Sequence, residues 1–296
     1  MIATETLQRL LGINPSLQIS SESPNEPHRY SVPSRPLSED LAKKAYESIL
    51  NFDENDGYDP RGNAESAFNA SENVQQGSPS ASFGQSQRES RLQEESRQRK
   101  VLHQAADKST LSGEYLANEG EHLVHRDEIS GIAHKSTNSL RYGLVLDQDE
   151  WKPHRKLAAR PALPSEYLWR IGLQNAAFGD NIKLTGVALS DGEPTIQTSQ
   201  PWIKGTAPSL EEVGSFMEAQ GFERISNGMM AAGYPSALAW YRTEDQVLVY
   251  DAKESNFVKK DTGVILPIDL VVQIYPLQLL RETAQINEVQ WPTIGA

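Results

Sequence analysis

The sequence predicts an α+β protein built on short antiparallel strands and preceded by a long polar arm. Three observations predict it. Strand-like runs occur in pairs around turn residues: 121–125 with 131–137, and 183–189 with 194–200 across Asp191-Gly192. Two helix patterns carry their own start and stop residues, at 164–179 and 209–221. The polar excess is concentrated before residue 90, where large apolar residues are sparse.

Composition narrows the function classes. The chain has 296 residues, long enough for one large or two small domains. Its formal charge of −12 speaks against a general nucleic-acid binder, which needs a basic surface. With no cysteine it has no disulfide, no thiol nucleophile and no Cys-zinc site. The start, MIATETLQRLLGINPS, lacks a basic region followed by a long apolar one, so no secretion signal is expected. No run approaches the ~18 apolar residues of a membrane-spanning helix. A cytoplasmic protein is expected.

Residues 1–90 read as a largely disordered arm. Residues 4–11 suggest a short amphipathic helix. A better one is expected near 38–51, with Ser38 as its cap and Leu41, Ala42, Ala45 and Ile49 as its apolar stripe. The tract 52–87 is rich in Gly, Ser, Asn and Gln. It cannot bury enough apolar surface to offset its chain entropy. Residues 87–106 turn charged and helix-favouring, with Arg mixed among Glu as on a solvated face.

The folded domain is expected over 91–296. The turn at 127–131 joins its first strand pair. Residues 138–163 read as irregular. Pro164 suits the first turn of a helix that ends near Gly179. After the second strand pair, Pro201 breaks the ladder and opens a linker over 200–205. Ser209 and Glu212 form a capping box, and Gly221 ends that helix. A strand over 247–250 ends on Asp251. A hairpin around Asp261-Thr262-Gly263 returns to Asp269, and a last helix is expected from Pro276 to about Thr283.

Chemistry concentrates in 247–270. Asp251 and Asn256 fit the D-x-x-x-x-N spacing of a phosphoryl-transfer loop, and Lys253 adds a cation between them. Asp269 lies eighteen positions after Asp251, at the end of the next hairpin. One carboxylate orients an attacking hydroxyl; an amide oxygen and a second carboxylate hold magnesium against phosphates. Asp and Asn are also ordinary turn residues, so the spacing alone leaves a structural role open. Upstream, Ala133-x-Lys135 fits a strand whose small residue covers a base and whose lysine grips phosphates. A strand-end lysine on a wet face is the plain alternative. Glu166, in the first turn of the helix, is the candidate partner for Lys135, or else a glutamate favoured by the helix dipole. Gly120 precedes the first hairpin where a phosphate-covering loop would lie, without the G-x-G-x-x-G pattern.

In order, GEHLV (120–124), HKST (134–137), EYLWRIGLQN (166–175), SQPWIKG (199–205), DAKESN (251–256) and PID (267–269) resemble the kinase domain of bacterial and phage polyvalent proteins. The resemblance spans about residues 90–275. It implies a two-lobed protein-kinase-like fold. A small antiparallel-sheet N-lobe would occupy about 112–200, a hinge 200–205 and a reduced C-lobe 206–296. It implies an ATP- and Mg²⁺-dependent kinase of a mobile-element or prokaryotic protein, transferring the γ-phosphoryl group to a hydroxyl of a protein Ser/Thr or a small molecule. Asp251 and Lys253 would be catalytic. Lys135, Glu166, Gly120, Ala133 and Gln200 would bind the nucleotide, and Asn256 and Asp269 the metal.

The sequence also departs from the pattern. Tyr250 stands where many kinases have Arg, Leu270 and Val271 replace Phe-Gly, and no A-P-E segment is present. These departures put protein-substrate recognition in doubt. A degenerate kinase fold serving as an interaction module is the alternative. A DNA-processing accessory role is disfavoured by the acidic charge.

Overall fold

The computed structural model describes residues 44–45, 91–93, 95–96, 98–100, 102, 114–148 and 156–289. The helix expected over 4–11, the tract 52–87 and most of 38–51 lie outside them. Lys44 and Ala45 are helical, and Ala45 is buried among apolar residues of the folded domain.

A five-stranded antiparallel sheet runs in the order β1-β2-β3-β7-β6. It comprises β1 (Glu114–Glu119), β2 (His122–Asp127), β3 (Ile132–Thr137), β6 (Lys183–Ser190) and β7 (Glu193–Pro201). The strand pairs legible in the sequence are here, with Asp127 accepting from Ile129 N–H at 2.9 Å in the expected turn. Between β3 and β6 come β4 (Leu144–Gln148), β5 (Leu157–Pro161) and helix α1 (Pro164–Phe178). Pro164 opens α1 and Gly179 closes it in the left-handed conformation, as the sequence predicts.

The stretch 138–163 is not irregular throughout: β4 and β5 pair as a hairpin. The pairing rests on distant partners. Gln273 accepts from Leu146 N–H at 2.8 Å and donates to its carbonyl at 2.7 Å, continuing the ladder with a side chain. Leu146 and Leu157 are buried with Tyr241, Leu248 and Val271.

The rest of the chain holds α2 (Leu210–Ala219), β8 (Glu223–Arg224), β9 (Trp240–Arg242), β10 (Val247–Tyr250), β11 (Phe257–Lys259), β12 (Ile265–Pro267), β13 (Val271–Ile274) and α3 (Leu277–Ile286). A four-stranded antiparallel sheet runs β13-β10-β9-β8, and β11 pairs with β12. Alternate side chains of β10 enter different cores: Leu248 and Tyr250 one, Val247 and Val249 the other. Burial on both faces explains why this run is continuously apolar. The Ser209–Glu212 capping box forms in both directions, at 2.9 and 3.2 Å.

Residues 91–102 are helical where described, but not simply solvated. Gln98 is buried and exchanges hydrogen bonds with Ser165 at the start of α1 (3.0 and 3.1 Å). Arg99 pairs with Glu193 at 2.6 Å. Among the described residues, no helix is long and apolar enough to cross a membrane.

The linker after β7 returns against β11, where Thr206 and Lys259 exchange backbone hydrogen bonds of 3.0 and 2.7 Å. A Cβ on Gly205 would collide with the Lys259 carbonyl, and a backbone group cannot move aside cheaply. Gly205→Ala is therefore expected to destabilise the fold by about 1–3 kcal/mol, read as a lowered midpoint in urea unfolding.

Candidate active site

A cavity of about 170 Å³ lies between the five-stranded sheet and the β11–β12 hairpin. Strand register places its upper wall. Ala133 faces Gln200, Lys135 faces Thr198, and Val124 of β2 faces Lys135. Residues opposite one another across a ladder share a face, so Ala133, Lys135 and Gln200 meet the cavity together. Asn256 and Asp269 supply the other wall, from a one-turn 3₁₀ helix before β11 and from the segment after β12.

Lys135 donates to the Ile268 carbonyl at 2.8 Å, beside Asp269. The Asp269 carboxylate lies 3.4 Å from His122 Nδ1 and 3.4 Å from Arg170 Nη2. Burial pushes this carboxyl upward, but Lys135, His122 and Arg170 together outweigh burial and hold it well below the ordinary aspartate value. Arg170 itself is 4% exposed and forks onto Glu121, at 2.9 Å through Nη1 and again through Nη2. His122 lies 3.1 Å from Glu121 and 2.9 Å from the Tyr167 hydroxyl. Four residues from Arg170, Gln174 accepts from Leu270 N–H at 3.0 Å and donates to Asp180 at 2.7 Å. Burial raises Asp180 above the usual carboxylate range.

These contacts correct one expectation. Glu166 does not meet Lys135. Both its oxygens take Arg160, at 2.7 and 2.9 Å, and it also accepts from Leu163 N–H at 2.7 Å. The third helical position turns its carboxylate back over the helix start, where Arg160 on β5 takes both oxygens and Arg91 lies 3.8 Å away. Helix α1 instead reaches the Asp269–Leu270 segment through Arg170 and Gln174. Arg170 and Gln174 were not singled out in the sequence, and Glu121 and His122 only as the neighbours of Gly120 where a phosphate-covering loop would lie. One signal was available: Arg170 is a charge inside the apolar run YLWRIGL, and such a charge needs a buried partner.

The other expected residues fall as follows. Asp251 has a left-handed backbone, φ 59°, and accepts from Lys253 at 3.0 Å and Asn256 Nδ2 at 2.8 Å. It reaches the cavity through Asn256 rather than lining it. Gly120, φ 57°, sits in the β1–β2 turn with its carbonyl held by Asn138 and Arg141, at 3.1 and 3.2 Å. Its neighbour Glu121 is the turn residue that reaches the ion-pair cluster.

The donor set fits the groups a kinase needs. Asn256 spends its Nδ2 on Asp251; its Oδ1 and the Asp269 carboxylate are hard oxygens of the kind Mg²⁺ takes, and both residues line the cavity. Lys135 supplies a cation for phosphates on the same cavity.

Comparison with known families agrees. Residues 159–276 match the family described as the serine/threonine/tyrosine kinase found in polyvalent proteins. This stretch is similar to the kinase domain of polyvalent proteins. No curated protein and no solved structure matches the chain. The kinase match begins within β5 and takes in α1, Gln200, Asn256 and Asp269. It stops short of β1–β3, so Lys135 and Ala133 are placed at the cavity, and Glu121 beside it, by strand register and hydrogen bonding alone.

Two measurements test the electrostatics. Arg170→Met strands Glu121 and Asp269, and is expected to cost about 3–5 kcal/mol in urea unfolding; adding Glu121→Gln should restore part of that loss. Glu166 is a depressed carboxyl: burial raises it, but Arg160 and the Leu163 N–H together more than reverse this. Its stabilisation is therefore present above the ordinary value of 4.5 and is lost as pH falls through the folded value. The stability gap between wild type and Glu166→Gln should be full near neutral pH and close on acidification.

Proposed function

We propose that the kinase domain is an ATP- and Mg²⁺-dependent phosphotransferase moving the γ-phosphoryl group to a hydroxyl of a protein Ser/Thr or a small molecule in the cytoplasm. One observation carries the reading: Lys135, Gln200, Asn256 and Asp269 come from separate segments and line one cavity. In this reading the five-stranded sheet with α1 forms a small lobe, 200–205 is the hinge, and the β8–β13 region with α2 and α3 is a reduced second lobe.

Each residue has a task. Ala133, small and buried on β3, leaves room for the base. Lys135 binds the phosphates. Asn256 and Asp269 hold the metal, which when bound offsets the charge of the transferring group. Asp251 orients the acceptor hydroxyl and receives its proton as the new oxygen–phosphorus bond forms. The bond to the bridging oxygen breaks, and the nucleoside diphosphate leaves. Lys253, 3.0 Å from Asp251, supplies a cation near the moving group.

The alternative is an interaction module on a degenerate kinase fold. It is favoured by the Asp251 carboxylate already being engaged by Lys253 and Asn256, and by Glu166 being spent on Arg160. Purified protein with labelled ATP and Mg²⁺ separates the two. Lys135→Ala is expected to weaken nucleotide binding and lower turnover together. Asp251→Ala should spare binding and lower the rate by roughly 10²–10⁴. Phosphate transfer that survives both substitutions excludes this cleft, and a chain that binds no Mg²⁺-ATP is the interaction module.

A further inference from the structure

Gln200 sits next to last on β7, opposite Ala133 and on the cavity face of the sheet. It is only 7% exposed, and its Oε1 is buried without a hydrogen-bond partner. A buried carbonyl left unpaired is costly, and native structures rarely carry one without a reason. Here the reason is beside it: the side chain borders an open cavity rather than packed core.

The neighbouring backbone sharpens the point. Pro201 has no N–H, and the Trp202 N–H is spent on the Gly131 carbonyl at 2.8 Å. Two consecutive linker positions therefore have no backbone donor to offer a ligand. A carboxamide presents an acceptor and a donor side by side. Adenine presents the complement, its 6-amino group next to a ring nitrogen, which is why glutamine pairs with adenine in two-point recognition.

Resting on the nucleotide-cleft reading, we propose that Gln200 is the residue that reads the base. Its carboxamide accepts from the 6-amino group of adenine and makes the cleft select adenine nucleotides through a side chain rather than the linker backbone alone. A site built to hydrogen-bond a group rejects a ligand lacking it, because its own buried polar atom is then left unpaired.

The test is calorimetric titration of the whole chain, with Mg²⁺, by ATP and by purine riboside triphosphate, which differs only in lacking the 6-amino group. Wild type is expected to bind ATP about tenfold more tightly, the ratio that corresponds to one buried hydrogen bond. Gln200→Met, similar in volume, should bind the two alike while keeping the wild-type melting temperature within a few degrees. Equal binding of both nucleotides by wild type overturns the proposal and leaves the kinase reading standing. So does a tenfold preference that persists in Gln200→Met. Binding of neither nucleotide by wild type overturns the kinase reading, and the proposal with it.

Discussion

A single buried guanidinium sets the conditions for this site. Arg170 projects from a helix whose neighbouring positions, Tyr167, Leu168, Ile171 and Leu173, are core residues. A charge there is tolerable only when paired and hydrogen-bonded. Burial disfavours its protonated form, yet Glu121 and Asp269 more than compensate, and the net effect holds the proton more tightly than usual. One side chain thus draws together the β1–β2 turn, α1 and the segment after β12. The demand extends to Gly143: its φ of 81° suits glycine, and a Cβ would occupy the space taken by Glu121 and Arg170. The Tyr167 ring, 5.0 Å from the guanidinium carbon, adds a cation–π contact.

The same pairing decides how the Asp269 end of the cavity is charged, and on the proposed reading that is where a nucleotide's phosphates lie. Glu121 and Asp269 oppose phosphates, whereas Lys135 attracts them, and Arg170 is already committed. On the proposed reading, a cleft balanced this way would favour a nucleotide that arrives with its metal. At about 170 Å³ the cavity is also smaller than the ~300 Å³ at the lower end of ligand pockets. It has room for a base before it has room for a triphosphate. Enlarging it asks movement of two contacts at its border: Lys135 on Ile268, and the β1–β2 turn held through Glu121.

What the sequence makes legible here is what local chemistry decides. The Ser209–Glu212 box, Pro164 and Gly179 around α1, and the turn at Asp127 each act within a few residues, and the elements they bound agree with expectation. The β4–β5 hairpin was hidden because Gln273, well over a hundred positions away, completes its ladder. Glu166 was matched to the wrong cation for the same reason. Lysine at 135 and arginine at 160 are equally visible as charges, and only the β4–β5 hairpin brings Arg160 to the helix start. Lys135, Asn256 and Asp269, singled out by motif spacing, line one cavity, but spacing says nothing of the Arg170 contact to Asp269 or the Gln174 contact to Leu270.

One coupling in the site runs through a residue whose own side chain takes no part. Ile268 is used from both sides of its backbone: its N–H donates to the Asn256 carbonyl at 2.9 Å, and its carbonyl accepts from Lys135 at 2.8 Å. The residue before Asp269 therefore fixes the spacing between the asparagine loop and the β3 lysine, whatever its own side chain. Gln174 then holds the residue after Asp269 by its N–H. With its neighbours on both sides pinned, the Asp269 backbone is fixed at the border of the cavity. Backbone hydrogen bonds thus fix where Asp269 stands, and His122 and Arg170 hold its carboxylate; the short P-I-D sequence says nothing of either.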